Sequence, residues 1–387
     1  MKTRWHKRAV RLLIFLGIVL LLVVGYFLPR FAVYPVAVSP FVAVAALLGG
    51  QMMLALLLVV PCAIQRRFFC RFVCPLGLCF DAIRKRRKNR LPQMLRQFPK
   101  VGVFLALLTF LASIVGGVGF LWLDPLVLFA SPLRGGGWLL FVLGTAFVSA
   151  WFLPTFWCRT ICPLGGMQDV VYAPKSLMIQ PKKAIVRLDR RRSLLRLSGL
   201  AVLFSGMFIF LRRQAITNDT LRPPGAIAEP FFLALCARCG TCTQVCPTKL
   251  LTTRNENALD LGTPYLQFDP AWCRDDCVAC TQTCPSGALR RIEPNEKKNV
   301  KIGLAVFEFE HCRLYEDIEC TLCERNCPFE AITFQWFEEE YRRMVHIDTD
   351  RCTGCGCCLV SCPAGRETSL RPLKIVKAKE SHVCCAN

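Results

Sequence analysis

The chain has 387 residues, 53% of them hydrophobic, and a formal net charge of +22. It is too long for one small domain, and its charge is divided unevenly: residues 1–215 carry 29 Lys and Arg against four acidic residues, whereas residues 216–387 carry 20 against 23. A basic excess confined to one half, and to certain loops within it, argues against nucleic-acid binding, the ordinary reading of so basic a chain.

Taken in chain order, charge-free apolar runs occupy residues 12–28, 41–64, 101–123 and 138–157. Each is near the ~20 residues that a helix needs to cross a bilayer. None shows the polar face at a 3.6-residue period that an amphipathic core helix would carry. A fifth run, 197–211, has about 15 residues, a length that suits a signal h-region. The N-terminal tail holds five Lys and Arg, the 65–100 loop eleven and the 158–196 loop nine, while the loops between hold only Arg30 and Arg134. The positive-inside rule then predicts a bacterial inner (plasma) membrane protein with a cytoplasmic N-terminus and both basic loops in the cytoplasm.

Two copies of an eight-residue pattern, CRxxCPLG, follow the second and fourth runs, starting at Cys70 and Cys74 and again at Cys158 and Cys162. The first half therefore reads as a duplicated two-span unit. The paired CxxxCP motifs are expected either to converge on one further metal or redox centre or to act as a thiol redox pair. Asp81, Asp169 and the motif arginines lie near the interface where a quinone site would be expected. The four histidines, His6, His311, His346 and His382, all fall outside the runs, so no bis-histidine haem b is expected in the membrane.

Ahead of the fifth run stand Arg191 and Arg192, which read as a twin-arginine export signal or as the cytoplasmic anchor of a helix. A fifth crossing would deliver everything beyond residue 215 to the periplasm. Pro223, Pro224 and Gly225 mark the start of that soluble part, where a helix cannot continue.

Most of the 25 cysteines lie in four blocks beyond this point. Cys236, Cys239, Cys242 and Cys246 form the first, and Cys352, Cys355, Cys358 and Cys362 the last, each closed by proline. This is the bacterial ferredoxin run, whose fourth cysteine often serves the neighbouring cluster. Between them lie two variants: Cys273, Cys277, Cys280 and Cys284, with one extra residue, and Cys312, Cys320, Cys323 and Cys327, with a long first spacing. Disulfide frameworks have irregular spacings, and structural zinc uses separated CxxC pairs, so the repeated CxxCxxxCP core points to four [4Fe–4S] clusters. Blocks one with four and two with three, or one with two and three with four, are both compatible pairings. Cys62, Cys79, Cys357, Cys384 and Cys385 fit no pattern, and the first two are expected to be packed apolar residues. Glu338, Glu339 and Glu340 form either a solvated charge run or a docking face for a basic cytochrome.

The stretch from Arg222 to Ala226, then CARCGTCTQVCP, GTPYL, CPSGAL, GLAV and CTGCGCC, resembles the exported polyferredoxins of the NapG and MauM kind. The first half resembles the NapH and MauN membrane proteins, related to the membrane domain of NosR. The resemblance implies a fusion of two partners that are usually separate: electrons from the quinone pool enter the membrane part, and the polyferredoxin passes them to a periplasmic cytochrome or reductase. NapH proteins usually continue into two cytoplasmic ferredoxin motifs, but residues 163–235 here hold no cysteine.

The expected architecture is thus an all-α membrane helical module of four to five transmembrane helices (residues 1–196), a signal anchor and linker (197–215), and an α+β ferredoxin-like polyferredoxin domain (216–387). No residue set for bond-making catalysis is evident, so the expected role is electron transfer, as a possible quinol dehydrogenase subunit. An accessory or maturation factor for a metalloenzyme is the alternative from another class.

Overall fold

The computed structural model describes residues 39–46, 59–87, 100–116, 119–131, 137–153, 156–179, 220–254, 260–268, 270–316, 318–337, 342–364 and 371–377, with isolated positions between 13 and 20 and between 206 and 213. The apolar runs 12–28 and 197–211, apart from those isolated positions, lie outside them. So do Arg191, Arg192, Glu338 to Glu340, Cys384 and Cys385.

The first half is helical: α1 (Pro40–Ala46), α2 (Phe68–Phe72), α3 (Pro75–Arg87), α4 (Val101–Val115), α5 (Pro125–Ala130), α6 (Trp138–Phe152) and α7 (Pro163–Ile179). The apolar run 101–123 is not one helix. Helix α4 ends where Gly116 takes a φ of 86°, a conformation that favours glycine, and the chain turns into a short 3-10 segment at Leu121–Leu123. Likewise α6 stops at Leu153, whose successor Pro154 disfavours a helical residue before it. Each helix has 15 residues, about 22 Å at 1.5 Å per residue. Among the described residues, no helix is long and apolar enough to cross a membrane.

Helix α4 is built inside out. Gly102, Ala106, Thr109, Ala112 and Ser113 are buried with Leu108, whereas Leu107, Leu111 and Ile114 stand 51%, 46% and 66% exposed. Small residues on the inner face let the backbones approach closely. The contact is tightest against α7, where a Cβ on Gly166 would strike the backbone of Gly102. Helix α6 shows the same outward apolarity, with Phe141 79% and Val148 60% exposed.

The second half contains short helices and two-stranded antiparallel sheets in an order that occurs twice. In the first unit an isolated bridge joins Ala226 to Leu289. Within it lie α8 (Glu229–Leu235), α9 (Thr241–Val245), the hairpin of β1 (Leu251–Thr253) with β2 (Pro264–Leu266), and α10 (Ala279–Gln282). In the second unit the outer pair is β3 (Leu304–Phe307), which is matched residue for residue by a late strand, Leu373–Val376. This pair encloses α11 (Leu322–Arg325), β4 (Ile332–Phe337) paired with β5 (Arg342–Ile347), and α12 (Cys357–Ser361). After three of the four CP dipeptides, the third residue beyond the cysteine turns left-handed: Lys249, Gly287 and Glu330 have φ of 56°, 74° and 49°. The same turn therefore recurs whether or not glycine is there to ease it.

One buried ion pair fastens the start of the first unit. Arg222 donates to both carboxylate oxygens of Glu229, and its other arm donates to Thr263 Oγ1 and the Pro264 carbonyl, each at 2.8 Å. Both charged partners are buried, and the guanidinium lies 4.7 Å from the centre of the Phe232 ring. The RPPG and GTPYL stretches are thus two ends of one hydrogen-bonded knot.

Two outcomes follow from this packing. Gly166→Ala should force α4 from α7 and cost about 1–3 kcal/mol, the usual penalty of overpacking, read as a lower unfolding midpoint in detergent. Arg222→Met should cost about 3–5 kcal/mol because Glu229 is left buried and unpaired, read as earlier bleaching of visible cluster absorbance on heating.

Candidate metal centres

Each ferredoxin block is a loop leading into one short helix. Gly240 and Gly356, in the left-handed region at φ of 69° and 83°, precede α9 and α12 and let the chain wrap around the first three cysteines of blocks one and four. The fourth cysteine leaves the helix in extended conformation, as at Cys246 and Cys362 (ψ 114° and 117°), and the following proline keeps the chain from re-entering a helix. It therefore points away from its own block.

Where it points resolves the pairing left open by spacing. Cys236, Cys239, Cys242 and Cys284 line one pocket. Cys246, Cys273, Cys277 and Cys280 line a second. Cys312, Cys320, Cys323 and Cys362 line a third. The remaining set is Cys352, Cys355, Cys358 and Cys327, for Cys358 feels the charge of the other three. Blocks one and two thus exchange their fourth cysteines, and so do three and four. The described cysteines are all free thiols.

Burial is the main electrostatic fact at these sites. It pushes the thiols of Cys236, Cys280 and Cys355 up to about 12, and neighbouring cysteines add to the effect. Four thiolates crowded in a low-dielectric cavity are stable only with a cation among them, and a bound metal inverts the local balance by deprotonating them outright. Among the described residues no group of three His, Cys, Asp or Glu closes tightly enough for one metal ion. Pockets each lined by four cysteines fit the donor set of a multi-iron cluster.

The two CRxxCPLG motifs fold alike. A Cβ on Gly77 would strike the Cys70 carbonyl, and one on Gly165 would come within 2.7 Å of the Cys158 carbonyl, so glycine closes the same loop in both copies. Leu76 and Leu164 are fully buried, and Pro75 and Pro163 each open the following helix. The copies differ at the first cysteine: Cys70 sits in α2, while Cys158 lies in a π-helical turn, Trp157–Ile161. All four thiols converge. Cys74 and Cys162 each feel the charge of both Cys70 and Cys158, and burial pushes Cys70 up to about 11.

Two residues that spacing did not reveal knit the copies together. Gln168 accepts from the Phe69 amide and donates to Cys70 Sγ at 3.1 Å. Arg67 pairs with Asp169 through Nε and Nη2 and donates from Nη1 to the Cys158 carbonyl. Burial pushes the Asp169 carboxyl up, but Arg67 and then Arg66 outweigh it and hold it at about 2. Asp169 is therefore an anchor for the cysteine pocket rather than a proton carrier. Cys62 is fully buried, and Cys79 packs against the same apolar cluster, as their lack of pattern suggests. Cys357 is buried and donates to the Asn326 carbonyl.

The cysteine centres of the two halves meet opposite ends of α4. A Cβ on Gly102 would strike the Cys162 carbonyl at one end. At the other, Gly116 faces Pro230, and the Gly119 amide donates to the Leu233 carbonyl just ahead of Cys236. Arg238, between Cys236 and Cys239, lies over the Trp122 ring, and its carbonyl accepts from Ser131. Gly262 abuts Trp138, which stacks near Trp122. Between the units, the Cys273 amide donates to the Cys355 carbonyl at 2.9 Å.

The crossed ligation has a direct outcome. Cys246→Ala combined with Cys273→Ala should remove one cluster's worth of iron, because both serve one set. Cys236→Ala with Cys246→Ala should remove two, and iron analysis distinguishes this from blocks that each close their own cluster.

Comparison with known proteins agrees with this geometry. A 4Fe-4S dicluster domain family matches residues 235–313 and 318–366, one match over each unit. A 4Fe-4S binding domain family matches residues 40–92 and 135–183, one match over each CRxxCPLG copy. The methylamine utilization ferredoxin-type protein MauM of Methylorubrum extorquens is 43% identical over 155 residues, which are 38% of this chain and 69% of that protein. MauM of Paracoccus denitrificans is 34% identical over 197 residues, 48% of this chain and 86% of that protein. The ferredoxin-type protein NapG of Escherichia coli is 35% identical over 200 residues, 48% of this chain and 84% of that protein. No solved structure matches. Ferredoxin blocks in crossed pairs, dicluster matches over both units and this degree of identity lead to one conclusion: the chain belongs to the ferredoxin-type [4Fe–4S] electron-transfer proteins of the MauM and NapG kind.

Proposed function

We propose that the chain is a membrane-bound electron conduit that takes electrons from quinol and delivers them, through four [4Fe–4S] clusters, to a periplasmic cytochrome or reductase. The observation that carries this reading is that the CRxxCPLG pocket and the first ferredoxin unit meet opposite ends of α4, whose Gly102 and Gly116 are about 21 Å apart along the axis. Fourteen helical steps separate the Gly102 end, beside Cys162, from the Gly116 end, beside the helix that leads into Cys236.

The membrane part of the reading rests on three features. The apolar runs are charge-free, α4 and α6 expose large apolar side chains over small buried ones, and Lys and Arg concentrate in the loops on one side. The basic loops are those that carry the CRxxCPLG cysteines, and the first ferredoxin unit packs on the 116–138 end, away from them. With the basic loops in the cytoplasm, the units lie in the periplasm, and the twin arginines Arg191 and Arg192 suit export of a folded domain assembled in the reducing cytosol.

Within this reading, Cys70, Cys74, Cys158 and Cys162 hold a further metal or redox centre that receives electrons near the quinol site. Gln168 donates to one of its sulfurs, and the Arg67–Asp169 pair fixes the loop around it. Sixteen of the cysteines beyond residue 235, those of the four blocks, hold the remaining centres. The helix that leads into Cys236 meets α4, the Cys246–Cys280 set shares its two blocks with the Cys236 set, and the Cys273–Cys355 hydrogen bond joins the first unit to the second, which holds the sets containing Cys355 and Cys312. The bound clusters supply one-electron chemistry; the chain supplies thiolates, hydrogen bonds and burial that set their potentials.

Two measurements test this. Protease added to intact spheroplasts should digest residues 216–387, and protection would end the periplasmic assignment. In membranes, a short-chain quinol should bleach the cluster absorbance, and Cys74→Ala should abolish that bleaching while dithionite still reduces the clusters. Bleaching by quinol that is unchanged in Cys74→Ala would remove the CRxxCPLG centre from the path.

A further inference from the structure

Lys297 is 1% exposed, the deepest burial of any lysine among the described core residues. Burial of an ammonium group is costly unless the group is paired. Its Nζ donates to Cys273 Sγ at 3.2 Å and to the Cys277 carbonyl at 2.8 Å. The local fold leaves it little choice of direction. Lys297 sits in a 3-10 turn, Pro294–Asn299, closed at its start by the Glu293 amide donating to Glu296 Oε2 and at its end by the Val300 amide donating to the Lys297 carbonyl. Two residues on, the Ile302 amide donates to the Thr353 carbonyl and ties this connection to block four.

A salt bridge does not explain the placement. Asp276 feels the Lys297 charge, but it is 60% exposed and held by Arg274 through both guanidinium arms. Nearby Lys301 shows the ordinary alternative, a half-buried lysine that donates to the backbone carbonyls of Asp350 and Cys352. Lys297 is aimed at a sulfur.

We propose that Lys297 raises the reduction potential of the cluster held by Cys246, Cys273, Cys277 and Cys280, making it the preferred site for an electron at the junction of the two units. This deepens the conduit reading and rests on it. One electron enters that cluster from the neighbouring one-electron donor, the set containing Cys236, and no bond forms or breaks. The reduced form carries one more negative charge than the oxidised form. A cation buried against a ligand sulfur stabilises that added charge strongly, because the local dielectric is low and hydrogen bonds to sulfur are among the determinants of cluster potential. Lys297 is thus a positioning residue for charge, not a ligand.

The test is a redox titration of the full chain in detergent, followed by electron paramagnetic resonance, with iron content measured in parallel. The signal lost in Cys273→Ala identifies the cluster. In Lys297→Met, that one signal should appear only at lower potential while the other clusters stay in place and iron is unchanged. Lys297→Arg, which keeps the charge, should restore the wild-type order. An unmoved potential in Lys297→Met with full iron would overturn the proposal. If Lys297→Met loses this cluster, Lys297→Gln keeps a donor without the charge and should show the same downward shift. Loss of the cluster in both, with retention in Lys297→Arg at an unaltered iron count, would make Lys297 a structural post and overturn the proposal equally. Because the titration uses chemical mediators, it reads Lys297 even where quinol fails to reduce the chain, so failure of the conduit reading is seen separately.

Discussion

The fourth cysteine of each ferredoxin block is turned away from its own three neighbours, and much of the second half follows from that crossing. A block that surrenders its last thiol cannot satisfy a cluster alone, so blocks one and two, and three and four, must fold against each other. The crossing brings the outer segments together as the Ala226–Leu289 bridge and the β3 pair, and leaves a hairpin to span each gap. The cores are correspondingly small, built around thiol-lined cavities rather than around large apolar side chains.

The same economy governs the join between the halves. Gly116, Gly119 and Gly262 each stand where a side chain would strike the other half, so the backbone meets the Pro230 ring, the Ala234 backbone and the Trp138 indole in turn. The helix that begins with Glu229 runs directly into Cys236, and Arg222 holds its first turn. The buried ion pair, the glycine contacts and the first cluster set therefore form one continuous body. Its stability and its position against Trp122 and Trp138 are a single property.

In the first half the governing pattern is reversed relative to a water-soluble bundle. Glycine, alanine, serine and threonine face inward on α4, and leucine and isoleucine face outward. The close approach of Gly102 and Gly166 brings the backbones of α4 and α7 into direct contact. The polar links at the cysteine end, from Gln168 and from Arg67 to Asp169, then fix two copies of one motif around four thiols.

Much of the site was legible from residue order alone, because cysteine ligation imposes fixed spacings. Four blocks, two CRxxCPLG copies and the division of charge at residue 215 all stand in the sequence. The exclusion of Cys62 and Cys79 also follows from their lack of pattern. Other features left no local mark. Lys297 reads as one of two adjacent lysines on a solvated face, and Gln168 as an ordinary helix residue, since neither has a spacing that chemistry demands. The sequence also made 101–123 one uninterrupted apolar run, whereas the helix stops at Gly116, since hydrophobicity does not report a backbone that must turn aside to meet Pro230. Candidate ligands are thus marked in the chain itself, because cluster ligation demands cysteines at fixed spacings. Which thiols share a cluster, and which buried cation touches them, depends on groups distant in sequence, and only the tertiary fold brings those together.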